Sequence, residues 1–597
     1  MLVFNLLMCA GLMLTLPHDS SQSCIVGTAQ QCLDADFIPG TNLAGEGFDI
    51  TKMERKGAFV LEMKAWKRKD ETCTVCKNPY MENQLQKLPL AVLDWRALQV
   101  CKNQVTSSLH KSSESVVSSS LSSVENNWKV HLDVQAMDKS GSAMLAGTNS
   151  KLAEYSLEKT KNDRFSFTSQ SLHCQYYSYR VSKTPRLHRE FQNAVQNLPK
   201  NYSPSTKARF YKLIDSFGTH YITKVKLGGS IHSVTSIKQC QASLRGLSVD
   251  EVQFCLEAEA SASIKQTTVK PEIKHCQKDS NKMDSSGSFA DFFSDRFTEI
   301  KGGHSTVPDL LFSADKNPSA YKEWLDTVPK NPDVISYSLD SLHELLPNKD
   351  PARKNLRSAI SHYILEHGLW KNCSNGCQIG VSNSKDSCAC TCHNEQFVNQ
   401  DCCPTRKGVS RVIITVQRAS GLWGDHTTKT DGYVKVFFNG KTVYRTPVIL
   451  NNNDPNWGAV VDLGSQNLHS GNKVRFEVWD QDSNWDDDLL GACDPDLSAG
   501  TTEDMCVLSH GQLFYKLEVK CGPSLGGDLC TDYKSSPMSP SLSKLYVSRH
   551  AHRIPNTILR KMGVFLNETT SLSQSDTSII HQKDKEEQKN RTRLSLV

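Results

Sequence analysis

The densest chemistry in the chain lies in Asp480-Gln481-Asp482-Ser483-Asn484-Trp485-Asp486-Asp487-Asp488, with Asp425 and Asp431 in an earlier polar stretch. Seven carboxylates gathered in one place repel one another, and a hard divalent cation relieves that repulsion. Calcium suits such a set, because it accepts about six to eight oxygens from flexible loops. An EF-hand is excluded. Asp480, Asp482 and Asn484 fit its first ligand positions, but Trp485 stands where Gly is required and Gly491 where the bidentate Glu belongs. The alternative is a solvated acidic loop that holds no metal.

Other chemistry is poorly supported. The chain has no Gly-x-Ser-x-Gly elbow and no His-Glu-x-x-His zinc helix. Gly440-Lys441-Thr442 resembles the end of a phosphate loop, but Lys435 occupies its first Gly position. No nucleophile or metal-ligand pattern accompanies His220, which reads as structural. The chain is therefore read as no enzyme, with no catalytic residue. A net charge of +5 over 597 residues, without a basic stripe, gives no reason to expect nucleic-acid binding.

Of 21 cysteines, Cys9 lies in an apolar run, Met1 to Leu16, that reads as a signal peptide ending near residue 23. The others are Cys24, Cys32, Cys73, Cys76, Cys101, Cys174, Cys240, Cys255, Cys276, Cys373, Cys377, Cys388, Cys390, Cys392, Cys402, Cys403, Cys493, Cys506, Cys521 and Cys530. An even number in a secreted chain predicts disulfides. Cys73-Thr74-Val75-Cys76 has the spacing of a redox motif, but structural bonds to Cys24 and Cys32 are the favoured reading. The seven cysteines from Cys373 to Cys403 suit either zinc or disulfides. Their odd number sends one partner outside, for which Cys240 is the candidate, and Cys521 is expected to pair with Cys530. Glycosylation acceptors are expected at Asn201 and Asn567, while Asn372 and Asn590 are weaker sequons.

The acidic stretch must be positioned by strands. Val474, Phe476 and Val478 alternate with charged residues immediately before Asp480, and Tyr433–Phe438 is another β-type run, so residues 409–525 predict an all-β sandwich. Two further segments alternate strictly. Val130, Leu132, Val134 and Ala136 form one, and Leu256, Ala258, Ala260, Ala262 and Ile264 the other. Such alternation predicts a half-buried strand in a soluble sheet, with a lipid-facing barrel wall as the sharper alternative. No apolar run after the signal is long enough for a membrane-spanning helix. The tail, 526–597, is Ser-rich and then charged, and it reads as disordered.

Phe210 is followed, six residues on, by Phe217-Gly218-Thr219-His220-Tyr221, and glycine pairs stand at Gly228-Gly229 and Gly302-Gly303. This pattern resembles the signature of the membrane-attack-complex/perforin (MACPF) family, with Phe210 where the family usually has Tyr. Thr306–Phe312, Tyr321, Trp324 and Tyr337-Ser338-Leu339 are similar to the perforin branch. The resemblance implies a multidomain α+β chain. A MACPF domain (24–370) has a bent antiparallel sheet hinged at those glycines and flanked by helical clusters. An epidermal-growth-factor-like module (371–408) and a C2-type calcium- and phospholipid-binding domain (409–525) follow it. The clusters are expected near Trp128–Thr148 and Leu256–Ile273, where they would unfurl into transmembrane β-hairpins, with Cys255 and Cys276 flanking the second.

For the C2-type domain, the resemblance adds Asn451 to a metal set of Asp425, Asp431, Asp480, Asp482, Asp486, Asp487 and Asp488. It implies membrane contact by Trp423 and Trp485, with His426 and Ser483 where related tips carry aromatics. Protonation of the carboxylates would compete with calcium and weaken lipid binding in acid. The activity implied is calcium-dependent, pore-forming cytolysis by a homo-oligomer on phospholipid membranes of target cells. The implied setting is secretion from cytolytic granules alongside granule proteases. A non-lytic, lipid-binding or complement-like immune protein is the alternative.

Overall fold

The computed structural model describes residues 24–566, except 103, 141–142, 265–275, 277–287, 313–317, 374–376, 378–379, 385–386, 394–396, 425–427 and 483–485. The expected signal (1–23), Asp425, His426, Ser483, Trp485, Asn567, Asn590 and the end of the second hairpin segment lie outside the described residues. Asn201, in its sequon, is exposed.

The first domain is organised on an eight-stranded sheet. Its strands are β1 (Glu46–Asp49), β2 (Glu54–Phe59), β3 (Val92–Cys101), β4 (Thr106–His110), β5 (Phe165–Val181), β6 (His220–Lys238), β7 (Arg296–Lys301) and β8 (Asp333–Ser341). The principal helices are α1 (Ser113–Ser119), α2 (Lys151–Asn162), α3 (Lys207–Phe217), α4 (Val249–Ile264), α5 (Pro318–Thr327) and α6 (Pro351–His367). β6 is the spine. One flank pairs with β1 at His220–Tyr221 and then with β5 from Lys224 to Lys238. The other pairs with β8 and then, from Ser230, with β7.

The sheet changes register where those partners change over. Pairing of β6 shifts between Leu227 and Gly228 against β5, and between Lys226 and Leu227 against β8. A Cβ on Gly228 would stand 2.0 Å from the Cys174 carbonyl oxygen, and one on Gly302 would stand 2.3 Å from the Gly228 carbonyl oxygen. Only glycine permits backbones to approach this closely. Trp324 of α5 is fully buried against the other member of each pair, Gly229 and Gly303, and its Nε1–H donates to the Gly302 carbonyl at 2.8 Å.

Two long connections leave the sheet at one end. Residues 111–164 join β4 to β5, and residues 239–295 join β6 to β7. In register, His110 and Ser236 both lie beside Phe167, and Thr235 lies beside Arg296. The connections contain the two alternating segments, and neither segment is a strand here. Residues 130–136 form turns in which Leu132 and Val134 are buried, and a 3-10 turn covers Gln135–Ser140. Leu256–Ile264 belongs to α4, where Val249, Val252, Leu256 and Ala260 form a buried stripe at helical spacing. Leu, Ala and Glu are strong helix formers, and that tendency outweighs the alternation in this state.

The cysteine-rich module is held by disulfides Cys373–Cys388, Cys377–Cys390 and Cys392–Cys402, so zinc is not the role of these cysteines. Cys240, just past the end of β6, bonds Cys403. Cys24–Cys76, Cys32–Cys73, Cys101–Cys174, Cys255–Cys276, Cys493–Cys506 and Cys521–Cys530 complete the set.

The third domain is a sandwich of two four-stranded sheets. Its strands are β9 (Val409–Ser420), β10 (Gly432–Phe438), β11 (Lys441–Arg445), β12 (Asn456–Asn467), β13 (Val474–Asp480), β14 (Asp488–Cys493), β15 (Gly500–Leu508) and β16 (Gly511–Cys521). The sheets run β12-β9-β16-β15 and β11-β10-β13-β14. Val412, Ile414, Val434, Val436, Val474, Phe476, Val478 and Leu517 fill the core between them.

The segment after the sandwich corrects the expected disorder. Residues 526–566 fold back onto the first domain, where Ala551–Arg553 pairs with Leu369–Lys371 and Ile554, Leu559 and Val564 join the main core. Its apolar residues are too sparse to show a period, and it is ordered by contacts with distant parts of the chain.

Candidate calcium and membrane-docking site

Antiparallel pairing brings the acidic residues to one end of the sandwich. β10 begins at Gly432, directly opposite Asp480 at the end of β13, so Asp431 falls beside Asp480. Asp480 also stands opposite Asp488, the first residue of β14. A bridge between Gly432 and Ile449 carries the intervening loop, with Asn451, to the same place.

Hydrogen bonds fix this arrangement. The Asp431 N–H donates to Asp480 Oδ1 at 2.7 Å, and the Asn451 N–H donates to Asp431 Oδ1 at 2.6 Å. The Tyr433 hydroxyl donates to Asp487 Oδ2 at 2.7 Å, and the Asp482 N–H donates to Asp487 Oδ1 at 3.3 Å. Burial first, and the neighbouring Asp487 carboxylate second, push the Tyr433 phenol up to about 12, so it remains a donor. Asp431 and Asp487 thus take these bonds from neutral donors. Asp480 is buried, whereas Asp486 and Asp488 are exposed.

These residues fit a cation in one respect and are incomplete in another. A Cβ on Gly424 would lie 1.9 Å from Asp480 Oδ2, so the loop preceding Asp425 is pressed against this carboxylate and has room only for glycine. Among the described residues, however, no three Asp, Glu, His or Cys side chains stand close enough to hold a metal ion. Asp425 lies outside that set.

Around the acidic end, among the described residues, the apolar side chains of Trp423 (48 % exposed), Leu450 (68 %) and Leu489 (46 %) face solvent. Trp423 stacks on His510 with ring centroids 4.0 Å apart. No pattern in the sequence singles out Leu450 or Leu489.

In the family signature, Gly218 ends α3 at φ +84°. His220 is fully buried. Its Nε2–H donates to the Trp128 carbonyl at 3.0 Å, and the Thr219 hydroxyl donates to Nδ1 at 2.8 Å. It therefore fastens the chain at Trp128 to the spine strand. No described helix is long and apolar enough to cross a membrane.

Comparison with known proteins gives three family matches. The profile described as MAC/Perforin domain covers residues 37–372, Perforin-1-like, EGF domain covers 372–405, and C2 domain covers 410–510. Perforin-1 of Mus musculus is 40 % identical over 529 residues, which is 88 % of this chain and 95 % of that protein. Perforin-1 of Homo sapiens is 40 % identical over 502 residues, or 83 % and 90 %. A solved C2 domain is 34 % identical, covering 19 % of this chain and 98 % of the domain, with a TM-score of 0.17.

Proposed function

Because the chain belongs to the membrane-attack-complex/perforin family, we propose that it is a calcium-dependent cytolytic pore former, secreted and acting on the phospholipid membrane of target cells. Ten disulfides suit an oxidising secretory route. Storage in cytolytic granules with co-delivered proteases belongs to the same reading.

Asp431, Asn451, Asp480, Asp482 and Asp487, with Asp425, Asp486 and Asp488, would hold the cation. Calcium, when bound, would supply the positive charge that lets this acidic end approach lipid phosphates. Trp423, Leu450 and Leu489, with Trp485, then enter the interface. Docked copies associate side by side, and residues 111–164 and 239–295 extend.

One observation carries the extension step. Each long connection joins strands that are already antiparallel neighbours, and both leave the sheet at the same end. Extension therefore lengthens two existing hairpins without changing the topology. Each connection exceeds fifty residues, ample for two membrane strands of about 9–11 residues each. Closure of the ring leaves no unpaired edge in lipid. The period-two pattern of Leu256–Ile264, unused in α4, would then give one apolar and one polar face.

The test is dye release from phosphatidylcholine liposomes at neutral pH, with calcium or a chelator, for the native protein and for Asp480→Asn and Asp482→Ala. Native release should require calcium. Either variant should raise the calcium needed for half-maximal liposome binding by about 10–100-fold. Calcium-dependent binding without release would assign the chain to a non-lytic role.

A further inference from the structure

We propose that residues 532–566 form an intramolecular strap that keeps the first long connection folded and must be displaced before that connection can extend. The proposal rests on the pore-forming reading for its consequence, and on contacts alone for the strap itself.

The contacts reach the first connection at three places. At α1, the Ser548 hydroxyl donates to Glu114 Oε1, and both side chains are buried at 0 % and 4 % exposure. At the end of α2, Asp163 is 1 % exposed and accepts from the Tyr533 hydroxyl and, at 2.9 Å, from the Ser536 N–H. The Met538 N–H donates to the Lys161 carbonyl at 2.8 Å. Between these points, a three-stranded sheet forms around Leu369–Lys371, with Ala551–Arg553 of the strap on one side and Ala143–Met144 of the connection on the other. Ala551 is fully buried in a small core with Val117, Ala153 and Leu157 of α1 and α2.

The far end of the strap is anchored to the body of the domain. The Lys207 ammonium donates to the Phe565 carbonyl at 2.5 Å, and the Phe565 ring packs on Tyr202 and His362. The near end is fixed by Cys521–Cys530 beside the sandwich. A segment held at both ends and bonded to both helices of the connection resists their departure. Departure of either helix breaks buried hydrogen bonds: Glu114 loses the Ser548 hydroxyl, and Asp163 loses the Tyr533 hydroxyl and the Ser536 N–H while it keeps the Arg164 N–H.

Two variants test this in the full chain. Ser548→Asp sets a carboxylate against Glu114 and should loosen the strap. Amide hydrogen exchange across Ser113–Ser119 and Lys151–Asn162, measured without lipid, should then quicken about ten-fold. Lys161→Cys with Met538→Cys, with the new disulfide verified by mass spectrometry, should lock the strap. Calcium-dependent liposome binding should persist in the locked protein while dye release slows about ten-fold. Release at the native rate from the locked protein, or exchange unmoved by Ser548→Asp, would overturn the proposal. If the native protein binds but releases nothing, the pore-forming reading falls and the exchange result alone decides the strap.

Discussion

The imidazole of His220 is kept neutral by its surroundings. Burial lowers its pKa to about 3 from an ordinary value of 6.5, and the Trp128 carbonyl offsets this only in part. In the unfolded chain the ring takes up a proton near pH 6.5. Between there and about pH 3 the unfolded state binds more protons, so stability is full above this window and is lost progressively as pH falls through it. Across the whole window the loss of stability is on the order of 5 kcal/mol. His220→Gln should keep a donor for the Trp128 carbonyl and remove the titration. Its melting temperature should fall less between pH 7 and pH 4 than that of the native protein. At this scale much was legible in the sequence. The acidic residues and the signature histidine stand at fixed local spacings. Leu450 and Leu489 were not legible, because an exposed leucine acquires meaning only from the loops that surround it in space.

The change of register in the sheet belongs to the scale of elements. It forms where β6 changes partners, and it is possible because Gly228 lies against the Cys174 carbonyl and Gly302 against that of Gly228. Gly228→Ala forces backbone atoms apart and should destabilise the first domain by about 1–3 kcal/mol. Calorimetry should show this as a lower first-domain transition, with calcium-dependent lipid binding by the sandwich retained. The glycine pairs were readable as places of backbone freedom, but their meeting around Trp324 was not, since it joins residues far apart in the chain. α4 shows why the alternating segment misled. Val249, Val252, Leu256 and Ala260 fit a helix, while Leu256, Ala258, Ala260, Ala262 and Ile264 fit a strand. One sequence satisfies both periods, and packing in this state selects the helix.

In the whole molecule, three modules and a returning segment share one set of anchors. The order of the modules was readable because each has its own local pattern: the signature, the dense cysteines and the acidic loops. The return of residues 526–566 was not readable, because Ala551 owes its burial to Val117, Ala153, Leu157 and Leu369, and Ile554 and Leu559 to the main core of the first domain, and none of them to a period of its own. The Cys240–Cys403 bond fastens the beginning of the second connection to the module adjoining the sandwich. Replacing both cysteines by Ser should leave calcium-dependent liposome binding near native and reduce dye release, as flotation and fluorescence measured on the same sample would show.

That bond also has a directional consequence. The environment that forms it is the oxidising exterior, whereas reducing cytosol favours its loss. A molecule exposed to a reducing medium would lose the covalent tie between the start of the 239–295 connection and the cysteine-rich module, so the bond itself records which side of a membrane the protein is on.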